Sequence, residues 1–421
     1  MKNIRRQRWW GVTIALIGFL IDPALNGTAT AQDGTLDPTF GNGGVVIRDF
    51  AIADDLLFDM AVAGDGRVVG VGLAARRNAL VRFQADGTLD TTFGIGGIVH
   101  DDARSFEKVT VQSDNKILVF GRQSTVTFIA RYDVDGKLDS TFGTNGVATI
   151  DHGELTHNHA VRVAVRDDGT IVAFGAVLDS TTLGTHFMTL RLTATGTLDT
   201  SFNGTGVVIQ RFDGFTLASA MALALDDKVV VAGSETNGHV VVRYNNDGSL
   251  DRTFRGTGIV RGSTSGFFES PTGLAVQPDG AIVATITPTA TLAPSRVIRY
   301  RGNGVLDPLF GRLGVKDSFE GAVLAVVLQT DGRIVTAGVS FGSSGPQVTV
   351  ARFLPDGSED LTFGAQGGLA IVAFPPNRPS FRMALQLQQD GRLIVGSTLE
   401  RRLIGQPPFS DWLLLRFNNS F

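Results

Sequence analysis

Short apolar runs separated by tight turns recur along the whole chain. Apolar and polar positions alternate over residues 58–63, and this run ends at Asp65-Gly66, a pair typical of hairpin turns. Two further runs follow at residues 67–73 and 79–84, and a short fourth run lies at residues 97–100. None of these runs has the spacing of an amphipathic helix. The pattern therefore predicts four short strands in this part of the chain.

Three phrases recur seven times each, in the same order. The first resembles Asp-Gly-Thr-Leu-Asp-Pro-Thr-Phe-Gly, and its phenylalanines are Phe40, Phe93, Phe142, Phe202, Phe254, Phe310 and Phe363. The second resembles Asp-Gly-Arg-Ile-Val-Thr-Ala-Gly, and it starts at Asp65, Asp114, Asp168, Asp226, Asp279, Asp331 and Asp390. The third is an arginine followed by an aromatic residue or leucine. A repeat of this length with four strands is typical of a propeller blade.

We therefore predict an all-β fold, a seven-bladed β-propeller with four antiparallel strands per blade. Residues 32–421 form this single domain, and residues 32–50 supply the outer strand of blade 7. The seven blades are expected at residues 51–101, 102–150, 151–210, 211–262, 263–318, 319–372 and 373–421.

The closure of the ring follows from comparing two copies of the repeat. Residues 416–419 resemble residues 243–246, which continue as Asp-Gly-Ser-Leu-Asp at residues 247–251. The matching continuation, Asp-Gly-Thr-Leu-Asp, stands at residues 33–37. We expect residues 44–48 to complete the last blade, which leaves no blade unpaired.

The recurring phrases resemble the delta-60 repeat family of exported bacterial proteins. The resemblance covers the chain from residue 32 onward, and it implies a propeller fold and export. The family has no established general activity, so the resemblance implies no site residues.

Each repeat pairs one arginine with one aspartate that we interpret as structural. The aspartate of each Leu-Asp-x-Thr-Phe phrase is expected to cap a single turn and to balance the partly buried arginine of the third strand. The alternative is a set of metal or substrate ligands. The expected pairs are Arg82–Asp90, Arg131–Asp139, Arg191–Asp199, Arg243–Asp251, Arg299–Asp307, Arg352–Asp360 and Arg416–Asp37.

Composition narrows the function classes. The chain has no cysteine, which excludes disulfides and thiolate chemistry. Its formal net charge of −4 argues against a nucleic-acid footprint. No phosphate-binding loop, serine-hydrolase elbow or full calcium loop is present, and we expect no cofactor and no metal.

The first 31 residues read as a signal peptide. A basic start precedes a short apolar stretch, and Ala29-Thr30-Ala31 supplies the small-residue cleavage pattern. We expect export to the periplasm or cell exterior, no membrane span in the mature chain, and a monomer. An uncleaved membrane anchor is the alternative.

Candidate ligand-binding residues lie in the loops of variable length, which share one face of the disc. Four histidines in the third repeat, His152, His157, His159 and His186, belong to these loops, and with Asp151 or Glu154 some of them could hold zinc. We interpret the cluster instead as an exposed polar loop, and zinc binding is the alternative. Possible aromatic rim residues are Phe215, Phe267, Phe268, Phe341 and Phe374.

The expected function is binding of a protein or glycan partner through this variable face, without catalysis. The alternative is a hydrolase or lyase acting on polysaccharide, with carboxylates at the mouth of the central channel. An enzyme needs a deep pocket with perturbed acids, whereas a binding module needs an apolar or aromatic rim.

Overall fold

The structure is a computed structural model that describes residues 32–51, 54–212, 216–236, 238–263, 269–288, 294–402 and 408–420. The signal peptide expected at residues 1–31 lies outside these residues. No helix among the residues described is long and apolar enough to cross a membrane.

The strands of the first half are β1 (Val45–Arg48), β2 (Leu56–Val62), β3 (Val68–Ala74), β4 (Arg77–Phe83), β5 (Ile98–His100), β6 (Ser105–Val111), β7 (Ile117–Gln123), β8 (Val126–Tyr132), β9 (Val147–Ile150), β10 (Leu155–Val165), β11 (Ile171–Asp179), β12 (Thr185–Leu192) and β13 (Val207–Gln210). Those of the second half are β14 (Thr216–Leu223), β15 (Val229–Glu235), β16 (Gly238–Tyr244), β17 (Ile259–Gly262), β18 (Glu269–Val276), β19 (Ile282–Pro288), β20 (Arg296–Tyr300), β21 (Val315–Asp317), β22 (Gly321–Leu328), β23 (Ile334–Gly342), β24 (Gly345–Phe353), β25 (Leu369–Ala373), β26 (Arg378–Leu387), β27 (Leu393–Arg401) and β28 (Phe409–Phe417).

These strands form seven antiparallel sheets of four strands each. Within a sheet the strands follow chain order, and the innermost strands are β2, β6, β10, β14, β18, β22 and β26. Each innermost strand contacts those of the two neighbouring sheets, and β26 contacts β2. The sheets therefore form a closed ring, which confirms the predicted seven-bladed propeller.

The N-terminal strand completes the last blade. Strand β1 pairs antiparallel with β28, with Val45 opposite Leu415. The N–H of Asn418 donates to the carbonyl of Thr35 (2.8 Å), and the N–H of Gly34 donates to the carbonyl of Asn418 (2.7 Å). The predicted closure is thus confirmed, and two distant segments together build a turn that is continuous in other blades.

The core lies between neighbouring blades. The phenylalanine of each Leu-Asp-x-Thr-Phe corner is fully buried. Between blades 7 and 1, Trp412 is also fully buried, and its indole N–H donates to the carbonyl of Leu73 (2.9 Å). Such face-to-face burial of large side chains is the main stabilising contribution in a propeller.

A β-bulge interrupts every innermost strand. In blades 1, 2, 4, 5 and 6 the pairing with the next strand skips one residue, namely Phe58, Glu107, Ser219, Thr272 and Leu324. In blade 3 the pairing slips twice, and in blade 7 it skips residues 380–382. Because a bulge changes the direction of a side chain, these positions can face the channel.

The glycine that ends the second phrase accommodates the bulge. A Cβ atom at Gly72, Gly121, Gly233 or Gly338 would lie 1.9–2.0 Å from a carbonyl oxygen of the innermost strand. No side chain fits at that distance. This glycine recurs because the backbone of the bulged strand approaches it closely.

Strand direction places the loops on two faces. The Asp-Gly turns between β2 and β3 and after β4 lie at the same end of the blade, since successive strands run antiparallel. The loops before each innermost strand and between the second and third strands lie at the opposite end. We call this opposite end the variable face.

Candidate functional site

The seven arginine–aspartate pairs build the scaffold. In every blade the arginine Nε donates to the aspartate Oδ2 at 2.7–2.8 Å. Each guanidinium also lies 4.4–5.0 Å from the ring centre of the buried corner phenylalanine. A terminal guanidinium nitrogen donates further to a backbone carbonyl of the next blade. The arginine is thus engaged on all sides within the protein, which is what a structural role requires.

Three of the candidate histidines lie near one another, but only two of them share a bonding partner. His152 Nε2 and His157 Nδ1 each lie 2.7 Å from the hydroxyl oxygen of Thr127, a buried residue of β8. His159 instead donates from Nε2 to the carbonyl of Ala218 in the next blade (2.8 Å). His152 and His157 connect blades 3 and 2 through the hydroxyl of Thr127, and His159 connects blades 3 and 4. The described residues around the three rings form no three-ligand metal group.

The fourth histidine is part of the sheet. His186 lies on β12 and is 6% exposed, and burial, followed by the charge of Arg211, lowers its pKa. It therefore packs within blade 3 and does not stand in a loop as the spacing suggested. The loop prediction is also wrong for His157 and His159, which lie on β10.

Of the five phenylalanines predicted to form an aromatic rim, the structure describes two. Phe215, Phe267 and Phe268 lie outside the described residues. Phe374 is half-buried and packs against the core between blades 6 and 7, so it does not act as a rim residue. Phe341 is 62% exposed, and its ring lies 6.2 Å from that of Phe381, which is 55% exposed.

The channel runs between the innermost strands. Residues from all seven of these strands line a narrow cavity of about 160 Å³. A wider cavity of about 570 Å³ lies where several of the innermost strands begin, at the variable face. We call this wider cavity the channel mouth, and its lining includes Phe58, Ser105, Glu107, Lys108, Arg122, His159, Ser219, Ser270, Thr272, Phe381 and Arg382.

Glu107 is the carboxylate of the channel mouth among the residues described. Its Oε2 accepts the N–H of Ala160 (2.7 Å), and its Oε1 lies 3.6 Å from His157 and 3.8 Å from Arg122. Burial raises the pKa of Glu107, but His157, the N–H of Ala160 and Arg122 outweigh burial and hold the pKa below its ordinary value. The group is therefore an anion at neutral pH.

His159 is neutral at the same mouth. Burial lowers its pKa, and the bond to Ala218 opposes that effect without cancelling it. With Glu107 ionised and His159 uncharged, the mouth carries three cations, Lys108, Arg122 and Arg382, against one anion.

A group of three carboxylates lies elsewhere on the variable face. Oxygens of Asp49, Asp55 and Asp411 lie within 4.8 Å of one another. Asp55 accepts the N–H groups of Phe50 (2.7 Å) and Ala75 (2.6 Å), and Asp411 accepts a bond from Arg401 (3.0 Å). Burial raises the pKa of Asp55 and of Asp411. The N–H of Asp55 also donates to the carbonyl of Ser410 on β28 (2.8 Å), so the bonds of Asp55 hold the loop before β2 against the end of β3 and against β28.

Sequence reasoning missed most of the channel mouth. Glu107, Lys108 and Arg382 stand on strands. At the position of Lys108, blades 4, 5 and 6 carry Ala220, Gly273 and Ala325, whereas blades 1 and 3 carry the charged residues Asp59 and Arg162. The signal that could have identified them is this departure from the repeat, read together with the recurring glycine that marks a bulge.

Comparison with known families supports a propeller repeat. Residues 63–93, 112–142, 225–254 and 329–363 match the family described as "Domain of unknown function (DUF5122) beta-propeller". The resemblance to the delta-60 repeat rests on the recurring phrases alone. No curated protein sequence matches the chain.

Solved structures share the fold at low identity. A streptogramin B lyase is 13% identical with a TM-score of 0.52, and the match covers 89% of this chain and 98% of the lyase. A catalytically inactive variant of virginiamycin B lyase from Staphylococcus aureus, solved with quinupristin, is 10% identical with a TM-score of 0.51, and the match covers 88% of this chain and 98% of that one. At this identity the likeness concerns the propeller fold and not the activity.

Proposed function

We propose that the protein is an exported, non-catalytic binding protein that holds a glycan at the channel mouth of its variable face. Export rests on the signal-peptide pattern of residues 1–31. The observation that carries the binding proposal is the exposed pair Phe341 and Phe381 beside a concave, hydroxyl-lined cavity.

The shape of the mouth favours a glycan over a protein partner. A cavity of about 570 Å³ has the size of a small-ligand site, whereas stable protein interfaces are broad surfaces. Flat aromatic rings offer an apolar face on which a sugar ring can pack. Ser105, Ser219 and Ser270 line the same cavity and supply hydroxyl groups that can bond to sugar hydroxyls.

The state of Glu107 favours binding over hydrolysis. A general acid for glycoside cleavage needs a raised pKa and a second carboxyl group across the bond. The pKa of Glu107 is instead lowered, and the oxygens are held by Ala160 and approached by His157 and Arg122. The alternative of a polysaccharide hydrolase therefore ranks second, and a lyase is distinguished by its unsaturated products.

Native affinity electrophoresis tests the proposal with four soluble polysaccharides in the gel: polygalacturonate, alginate, dextran and hydroxyethylcellulose. At least one should retard the protein, and Phe381→Ala should weaken that retardation about fivefold or more, because an aromatic contact is removed. Ile95→Ala is the control, since Ile95 is 90% exposed on an outer corner away from the mouth.

Two results would overturn the proposal. If none of the four polysaccharides changed the migration of the protein, the proposal that the ligand is a glycan would be wrong. If the protein released reducing ends or unsaturated products from the polysaccharide that retards it, it would be an enzyme and not a binding protein.

A further inference from the structure

Among the residues that the structure describes, the charged side chains of the channel lie on one side. Blades 7, 1, 2 and 3 are contiguous in the ring and supply Arg382, Asp59, Glu107, Lys108, Arg122 and Arg162 to the mouth and the cavity beneath it. The facing blades 4, 5 and 6 supply neutral side chains at the same level, including Ser219, Thr272 and Leu324. Four cations against two carboxylates leave a surplus of two positive charges, on a chain whose net charge is −4.

Three of these cations have no carboxylate partner. Within the described residues, Lys108, Arg162 and Arg382 form no ion pair, whereas most other lysines and arginines do. Arg382 lies over the ring of Phe58 at 5.0 Å, and its charged end is exposed at the mouth. The two carboxylates nearby are already engaged, because Asp59 accepts the N–H of Val109 (3.1 Å) and Glu107 accepts that of Ala160.

The bulges put these cations at the channel. Lys108 directly follows the bulged residue Glu107, and Arg382 belongs to the three residues that the pairing of β26 with β27 skips. At the position of Lys108, blades 4, 5 and 6 carry Ala220, Gly273 and Ala325. Blades 1 and 3 carry Asp59 and Arg162 at this position, so a charged residue there is not part of the pattern that all copies share.

Resting on the proposed function, we propose that the glycan is acidic and that its carboxylate groups bind to Lys108 and Arg382, with Arg162 deeper in the channel. A guanidinium and a carboxylate form parallel charge-assisted bonds, which Arg382 can offer from the rim. The neutral side, formed by blades 4 to 6, receives the uncharged face of the sugar chain. The one-sided charge thus fixes the orientation of the ligand as well as its class.

Isothermal titration calorimetry with matched probes tests this assignment. The acidic probes are oligogalacturonate and oligomannuronate, and the neutral probes are the same oligosaccharides after reduction of each carboxyl group to an alcohol. At least one acidic probe should bind about tenfold or more tightly than its reduced counterpart, and its affinity should fall as NaCl rises from about 50 to about 300 mM. Lys108→Gln and Arg382→Gln should each weaken that binding about fivefold or more.

The matched control is Arg252→Gln, which removes an exposed cation without an ion pair from an outer corner of blade 4 within the described part of the chain. It should leave the affinity unchanged, and thermal unfolding should show all three variants folded. Equal affinity for acidic and reduced probes, or full affinity in Arg382→Gln, would overturn this inference while leaving glycan binding intact. If the protein bound none of the saccharides, the proposed function itself would be wrong. If it bound poly-glutamate tightly and no saccharide, the ligand would be an acidic peptide and not a glycan.

Discussion

Arg416 and Asp37 form one of seven equivalent pairs, but 379 residues of chain separate them. Their side chains are 6% and 2% exposed, and the guanidinium also donates to the hydroxyl of Thr39 (2.9 Å). A second cation, Arg392, approaches the same Asp37 at 3.1 Å but is 38% exposed. Because Arg416 is buried and Arg392 is exposed, we expect the ion pair of Arg416 with Asp37 to contribute more to stability than that of Arg392.

We predict that Asp37→Ala and Arg416→Ala each lower the free energy of unfolding by about 3–5 kcal/mol, since the first leaves Arg416 buried without a carboxylate and the second leaves Asp37 with only the exposed Arg392. The double variant should lose less than the sum of the two. Arg392→Ala should cost only about 0–1 kcal/mol, as expected for an exposed pair. Chemical denaturation measures all four values, and strictly additive losses would show that the pair is not coupled.

The repeat made such pairs predictable, because the same two residue types occur at the same offset in every copy. The residues of the channel mouth were not predictable in this way. Lys108 and Arg382 each occur once, and whether a strand residue faces the channel depends on a bulge that shifts the register. The histidines show the reverse case, since their clustering in the sequence suggested a ligand set while their bonds tie three blades together.

At the scale of the element, the bulged strand depends on the glycine opposite it. We predict that Gly121→Ala destabilises the protein by about 1–3 kcal/mol, because its Cβ would lie 2.0 Å from the carbonyl oxygen of Ser105. Gly302→Ala should change stability by less than about 1 kcal/mol, since its nearest neighbour would lie at an ordinary 3.5 Å. Thermal unfolding compares the two. Equal midpoints would mean that the strand can withdraw from the added methyl group.

The contact between blades 2 and 3 should depend on pH. Burial and the neighbouring His157 lower the pKa of His152 from 6.5 to about 4. The unfolded chain therefore binds a proton between pH 6.5 and about pH 4 that the folded protein does not, so the stability from this site falls as the pH falls through that window.

We predict that His152→Gln is less destabilising at about pH 4.5 than at about pH 7, since the variant no longer has the proton to exclude. The difference in free energy of unfolding between wild type and variant, measured at several pH values, isolates this site from the other histidines. A difference that stays constant across that range would contradict the assignment.

At the scale of the whole molecule, the closed ring requires β1, but β1 need not be at the N-terminus of the chain. The turn made by Gly34, Thr35 and Asn418 has the same bonds as the continuous turn at Asn245, Gly248 and Ser249. We predict that a permuted chain, with residues 51–419 followed directly by residues 33–50, unfolds within a few degrees of the wild type. Deleting residues 32–48 should lower the midpoint far more, because it exposes the edge of β28. Scanning calorimetry on both chains decides the matter, and a truncated protein as stable as the permuted one would show that β1 is dispensable.

The pairing of β1 with β28 also has a consequence for assembly. When the unfolded protein refolds, β1 must find a strand encoded more than 360 residues later, which is slow compared with forming any single blade. In a concentrated solution the β28 of another molecule is equally suitable, since all contacts of β1 are the same in either partner. Refolding at high protein concentration should therefore yield strand-exchanged dimers that dilute refolding avoids, and gel filtration of the two preparations would distinguish them.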